Sequence, residues 1–293
     1  MTLIRGIIGF ILFVLNLTFW IIPYYVVAIL KLIIPIAAWR RLCVRWLEAI
    51  GEIWIDCNNF FIATVAGIKY DIAGNEDLRR RDWYLVSSNH QTWVDVVVLQ
   101  RTFNRRIPFL KFFIKKQLIW VPLLGLAWWA LELPFMHRHS RAEIDKNPEL
   151  RGQDLEITRQ ACARFSETPT SLINFVEGTR FNEEKRQAQD APYQYLLNPK
   201  AGGIAFALAA MGETMHKLLD VTIVYPQGGG TFWELLSGQI GKVIVRVRQL
   251  EIPQEFLGGD YLNDPEFRER FQRWVRELWQ EKDQLIGELM AAS

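Results

Sequence analysis

Hydrophobic and polar positions divide the 293-residue chain into an uncharged front end and a body in which short apolar runs alternate with helix-period stretches. From Gly6 to Leu30 the sequence reads GIIGFILFVLNLTFWIIPYYVVAIL, without a charged residue. As a helix, ~25 residues run about 37 Å, enough to cross a ~30 Å hydrocarbon layer. The apolar character resumes after Lys31 as LIIPIAAW, and Pro23 and Pro35 interrupt it. Each proline removes an amide donor and crowds the preceding turn. Two architectures fit: a single spanning helix kinked at Pro23, or a helical hairpin, bent near Pro23, that dips into one leaflet. A cleaved signal peptide is a third, but its apolar region should be shorter and end at small residues, whereas aromatics and Pro23 fill this one. Arg40, Arg41 and Arg45 follow immediately and suit an anionic cytoplasmic leaflet; Arg5, at the other end, leaves orientation weakly fixed.

In the body, strands are expected over 64–72, 83–89, 171–176, 220–226 and 242–250. The last alternates, with Val243, Val245 and Val247 on one face and Arg246 and Arg248 on the other, as in a half-buried strand. Helical patterns over 154–166 and 201–213 lie between them. Strand–helix alternation predicts one α/β domain. The polar segment 181–192 reads as a surface loop. Asp264-Pro265 reads as an N-cap with proline at the first helical position. Phe267, Phe271, Trp274, Val275 and Leu278 then recur at helical spacing, an amphipathic helix expected to dock on the domain. The expected division is 1–48 for the membrane-anchoring helices and 49–293 for the α/β domain.

Composition adds a tendency towards a bilayer. The chain has 12 Trp and 18 Phe, and aromatic rings favour the membrane–water interface. Between Asp95 and Glu132 there is no acidic residue, while Arg101, Arg105, Arg106, Lys111, Lys115 and Lys116 are interleaved with aromatics. Beside an apolar anchor, this pattern points to an anionic bilayer surface rather than to nucleic acid, and 101–129 is expected to form a lipid-access face. Cys43, Cys57 and Cys162 have no metal-ligand spacing and read as small buried apolar residues. His137 and His139 have no third ligand nearby, so no metal is expected.

The segment NHQTWVD (89–95) follows the strand-like WYLVSS. On one ideal helix, residues five apart are rotated by a net ~140° and do not face each other. His90 and Asp95 can therefore meet only if His90 precedes a helix and Asp95 lies in its first turn. The carboxylate would then fix one ring nitrogen and leave the other free as a general base; a buried, capped histidine is the simpler alternative. A second strand-like run ends in FVEGTR (175–180), which offers a glycine, a hydroxyl and a guanidinium able to grip a phosphate. The chain has no G-x-S-x-G, P-loop or G-x-G-x-x-G motif. The nucleophile for His90 is then expected to arrive with the substrate, as a hydroxyl or as water.

These segments resemble the glycerophospholipid acyltransferase family, in particular 1-acylglycerol-3-phosphate acyltransferases, over roughly 64–250. NHQTWVD matches an Asn-His-x4-Asp block. KKQLIWVPLLG, running on to Arg138, resembles a second block at Lys115, Leu118, Pro122, Gly125 and Arg138. FVEGTR and VTIVYP resemble the third and fourth, and Lys200-Ala201-Gly202 an element between them. Gln117, Glu132 and Val176 depart from residues common at those places, which bears on the acceptor and acyl preference. The resemblance implies an α/β domain, a mixed sheet flanked by helices, behind an N-terminal two-helix membrane motif, and so favours the hairpin. It implies His90 as base and Asp95 as its orienter. Arg180, Lys115 and Arg138 would bind the acceptor's phosphate, and Glu177, Gly178 and Thr179 would shape its pocket. The reaction implied is acyl transfer from a coenzyme A or acyl carrier protein thioester to the sn-2 hydroxyl of lysophosphatidate, without cofactor, at the cytoplasmic face of a bacterial inner membrane. A headgroup-bearing lysolipid acceptor, a thioesterase-like hydrolase and a non-catalytic lipid-binding protein are the alternatives.

Overall fold

The computed structural model describes residues 1–121, 124–133, 135–136, 165 and 168–293. The expected helix at 154–166 falls almost wholly outside them, as do Cys162, Pro122, His137, Arg138 and His139.

The front end is a helical hairpin. Helix α1 (Thr2–Ile33) runs unbroken through Pro23, and α2 (Ala37–Phe61) returns along it. The bend expected near Pro23 lies instead at Ile34–Ile36, around Pro35. Just past Pro23 the Tyr24 hydroxyl donates to Ala127 O at 2.6 Å, which ties the continuing helix to the domain. The expected boundary at 48/49 falls inside α2. Asn16 and Trp39 tie the two helices together, Asn16 donating to Asn58 Oδ1 at 2.9 Å and Trp39 Nε1 to Leu30 O at 3.1 Å.

Behind the hairpin lies a six-stranded mixed sheet of β1 (Lys69–Ala73), β2 (Tyr84–Ser88), β3 (Leu110–Phe112), β6 (Ser171–Phe175), β7 (Lys217–Val224) and β8 (Lys242–Glu251), in the order β1-β8-β7-β2-β6-β3. Only the β7–β8 pair is antiparallel. Two further short strands, β4 (Ile114–Lys115) and β5 (Phe135–Met136), pair with each other. The run expected to be strand from 64 begins as a helical turn (Ile62–Ala66) that Gly67 ends with a left-handed φ of 66°, and only then becomes β1. The valine-rich 94–103 segment is helix α3 (Val94–Phe103), and α4 (Leu124–Ala130) follows β4. The polar 181–192 segment carries a short helix, α5 (Glu183–Ala188), because the Asn182 side chain accepts from Lys185 N and caps it.

Two apolar layers cover the sheet. Val94, Val98, Leu99 and Phe103 of α3 pack on one face. On the other pack α6 (Gly202–Met211) and the C-terminal helix α8 (Pro265–Ala291), which buries Phe271, Val275 and Trp279. Asp264 caps α8 as expected, accepting from Phe267 N at 2.9 Å.

Helix α1 touches the domain at both ends. Near its start, Gly6 and Gly9 lie against Trp233 and Leu236 of α7 (Phe232–Ser237) with no room for a Cβ at Gly6. Near its end, the Lys31 ammonium donates to Ala130 O and Glu132 Oε1 at 2.8 and 2.7 Å. Residues 6 and 31 are about 37 Å apart along the helix. Its outward face exposes Ile11, Leu15, Phe19, Ile22, Val26 and Ile33.

The expected lipid-access face is only partly as read. Lys111 is buried, 3.6 Å from Glu48 and stacked on Phe165, and Arg105 pairs with Asp56 at 2.7 Å. These charges are engaged by α2, which presents Glu48 to buried Lys111 and Glu52 and Asp56 to exposed Arg105. The apolar part does face outward: Leu118, Trp120, Leu124, Leu126 and Trp129 are exposed, Trp120 by 86%.

Candidate active site

Strands β2, β6 and β7 are parallel and in register, Ser88 opposite Phe175 and Val221. Their carboxyl ends therefore deliver 89–95, 176–180 and the residues after Val224 to one edge, where α/β sheets form crevices.

At that edge His90 Nδ1 lies 2.8 Å from Asp95 Oδ2. His90 precedes α3 and Asp95 is in its first turn, the arrangement that the spacing required. Asp95 is fully buried, and Oδ2 also accepts from the amides of Gln91 and Thr92 at 2.6 and 2.9 Å. Paired with an ionised carboxylate, which only accepts, a neutral His90 ring carries its proton on Nδ1 and its lone pair on Nε2. The His90 side chain is 16% exposed and stacks on Phe175, ring centroids 4.0 Å apart. The other carboxylate oxygen, Oδ1, accepts from the Tyr225 hydroxyl at 2.6 Å.

Glu177 is fully buried and joins two loops. Oε1 accepts from His90 N at 2.8 Å and Oε2 from Leu197 N at 3.1 Å. Burial pushes its carboxyl up to about 8 against the pull of those two amides. Its place is beneath the loop, so any effect on an acceptor pocket runs through the backbone it ties. Gly178 has a φ of 68° and lies against Lys200, where a Cβ would come 3.1 Å from Cδ. Thr179 Oγ1 accepts from Lys185 Nζ at 3.0 Å. Arg180 is exposed, its guanidinium 5.1 Å from the centre of the Trp93 ring, and among the described residues it has no carboxylate partner. The structure thus brings together six of the eight expected site residues. Lys115 ends β4, and Arg138 lies outside the described residues.

Sequence reasoning missed two members. Asn89 is buried, donates to Ile223 O and accepts from Ile223 N, both at 2.9 Å, and so fastens the loop to β7. Tyr225 is the other. Both were in quoted motifs, but their partners lie 134 and 130 residues away and follow only from the strand register.

Beside the dyad opens an apolar cavity of about 590 Å³. Its walls come from α1, α2, α3 and α4, and its lining includes Phe13, Trp20, Gly51, Trp93, Phe109 and Trp128. Trp93, 66% exposed, stands where the cavity, Arg180 and the His90 loop meet.

Comparison with known proteins bears on the fold and the family. The chain is 22% identical to mouse 1-acyl-sn-glycerol-3-phosphate acyltransferase epsilon over 78% of its own length and 64% of that protein. It is 25% identical to 1-acyl-sn-glycerol-3-phosphate acyltransferase 2 of Arabidopsis thaliana, over 84% and 60%. The chain thus spans less than two thirds of the length of these relatives. The crystal structure of the 1-acyl-sn-glycerophosphate (LPA) acyltransferase PlsC from Thermotoga maritima superposes with a TM-score of 0.52 at 18% identity, covering 95% of this chain and 98% of that one, and so shares the fold. The acyltransferase family model matches residues 69–226, more than half of the chain, and the chain belongs to that family.

Proposed function

We propose that this protein transfers a fatty acyl group from a thioester to the sn-2 hydroxyl of lysophosphatidate, making phosphatidate. The observation that carries the reading is the imidazole of His90, held through Nδ1 by Asp95, in a loop whose Trp93 both lines the large apolar cavity and carries Arg180, a guanidinium with no carboxylate partner among the described residues. The acceptor hydroxyl attacks the thioester carbonyl carbon while His90 Nε2 takes its proton. The tetrahedral intermediate collapses, the carbon–sulfur bond breaks, and the thiolate leaves to be protonated. Base catalysis of this kind contributes about 10²–10⁴-fold, roughly 3–5 kcal/mol. Arg180 is suited to the acceptor's phosphate, since a guanidinium binds two oxygens at once. The cavity volume lies within the ~300–1,000 Å³ typical of small-molecule sites, and its apolar lining suits an acyl chain. Coenzyme A and acyl carrier protein are the candidate thiol carriers; the chemistry calls for no cofactor.

On this reading the hairpin lies in one leaflet. A helix held to the same domain at both ends has no room to carry one end across a bilayer. Exposed Arg40, Arg41 and Arg45 support the cytoplasmic leaflet of a bacterial inner membrane, and exposed Trp120 and Trp129 extend the apolar surface.

The test is turnover by purified wild type and His90→Ala with long-chain acyl-CoA, following free thiol and lipid product together, with lysophosphatidate and headgroup-bearing lysolipids in parallel. Phosphatidate made by wild type and lost in the variant is expected. Preference for a headgroup lysolipid would overturn the acceptor assignment, and thiol release without lipid product would make the protein a hydrolase.

A further inference from the structure

Tyr225 sits at the carboxyl end of β7, 3% exposed, and its hydroxyl has one partner among the described residues, Asp95 Oδ1. A phenylalanine would fill the same apolar space among Val86, Val94 and Ile223, so the hydroxyl itself needs an explanation. The donors on Asp95 are unevenly placed. Oδ2 serves His90 and two backbone amides, whereas among the described residues Oδ1 serves Tyr225 alone. For a carboxylate as fully buried as Asp95, an oxygen without a donor is costly, and the carboxylate would turn to find one. We propose that Tyr225 is a positioning residue for acyl transfer, acting on His90 through Asp95: it pins the carboxylate and draws off part of its charge.

The sign of the effect follows. A carboxylate that shares its charge among four donors attracts the imidazolium less than one that shares it among three. Loss of the phenol therefore favours protonated His90 and moves its titration upward in pH. The surrounding charged and titratable groups are Glu177 beneath the loop, Arg180 over Trp93, Tyr70 on β1 beyond Tyr225, Lys282 of α8, and Glu234, bonded to Thr231 at the start of α7. None of these donates to Asp95 Oδ1, so none replaces the lost bond.

The experiment follows His90 by ¹⁵N-histidine NMR across pH in wild type and Tyr225→Phe, with its signal assigned by loss in His90→Gln, and measures kcat/KM over the same range. The expected result is a His90 midpoint raised by about half a unit or more, with the acidic limb of kcat/KM displaced alike and kcat lowered about tenfold. In an Asp95→Asn background the same substitution should change kcat/KM less than about twofold, because its route is gone. Tyr225→3-fluorotyrosine keeps the fold and strengthens the donor, so it should move the midpoint down. An unmoved midpoint in both variants, or an equal loss in the Asp95→Asn background, would overturn the proposal. The kinetic arm rests on the acyl-transfer reading and the NMR arm does not, so failure of either reading is distinguishable.

Discussion

At Glu177, burial and hydrogen bonding pull in opposite directions, and burial wins. The carboxyl is pushed up to about 8, whereas in the unfolded chain it titrates near ~4.3. The folded state therefore keeps a proton that the unfolded state releases. That contribution is undiminished below pH ~4.3, falls as pH rises, and above about 8 leaves the full cost of a buried charge. The melting temperature should accordingly decline from pH ~5 to ~8, by the equivalent of a few kcal/mol. Glu177→Gln should flatten that decline, at a pH-independent cost of about 1–3 kcal/mol for an amide left facing an –NH₂ group. An unchanged slope in the variant would assign it to other groups. Asn89→Ala should cost about 2–5 kcal/mol in a denaturant melt, since it strips partners from both backbone groups of Ile223. His90 and Asp95 could be read from the sequence because their pairing is local. The partners of Asn89 and Glu177 lie 134 and 87 residues away, and no spacing in the chain encodes them.

Among the elements, β2, β6, β7 and β8 were legible within three residues, because each is an apolar run set off from its neighbours. Segment 62–66 was not. Its β-branched residues favour strand, yet Ile62 and Ala66 gain more by completing the layer under α3. Helix α3 carries four valines, at 94, 96, 97 and 98, a residue type that favours strand. Its outcome is set by Val94, Val98 and Leu99, buried at helical spacing, and by Asp95 in the first turn, where a carboxylate favours the helix. The hairpin bend was misplaced because a proline's effect depends on what packs around it. Between α2 and the segment before β3, Gly51 packs directly against Phe109 in the cavity wall, so that a Cβ on Gly51 would come 2.9 Å from the Phe109 ring and displace it. If the proposed acyl transfer uses this cavity, Gly51→Leu should narrow it there and shift the preferred acyl donor towards shorter chains. Product profiles across a thioester length series would show this, and an unchanged profile would place the chain elsewhere.

For the molecule as a whole, the surface carries the membrane prediction. Charge reversal at Arg105 or Lys111 would break ion pairs with α2 and report on folding. The informative changes are Trp120→Glu and Trp129→Glu, on exposed rings outside the core. Together they should lower partition onto anionic vesicles about tenfold while leaving the melt within ~0.5 kcal/mol of wild type. Unchanged partition would confine lipid contact to the hairpin. The hairpin has a further consequence, for anyone wishing to make a detergent-free version of this enzyme. Phe13, Leu17, Trp20, Ile21 and Tyr24 of α1 line the cavity from one side while the opposite side of the same helix is bare and greasy. Cutting the helix away for solubility would leave the sheet and dyad in place but open that compartment to water. Water-soluble versions must be sought by repainting the outer stripe, at Ile11, Leu15, Phe19, Ile22 and Val26, with the inner stripe left as it is.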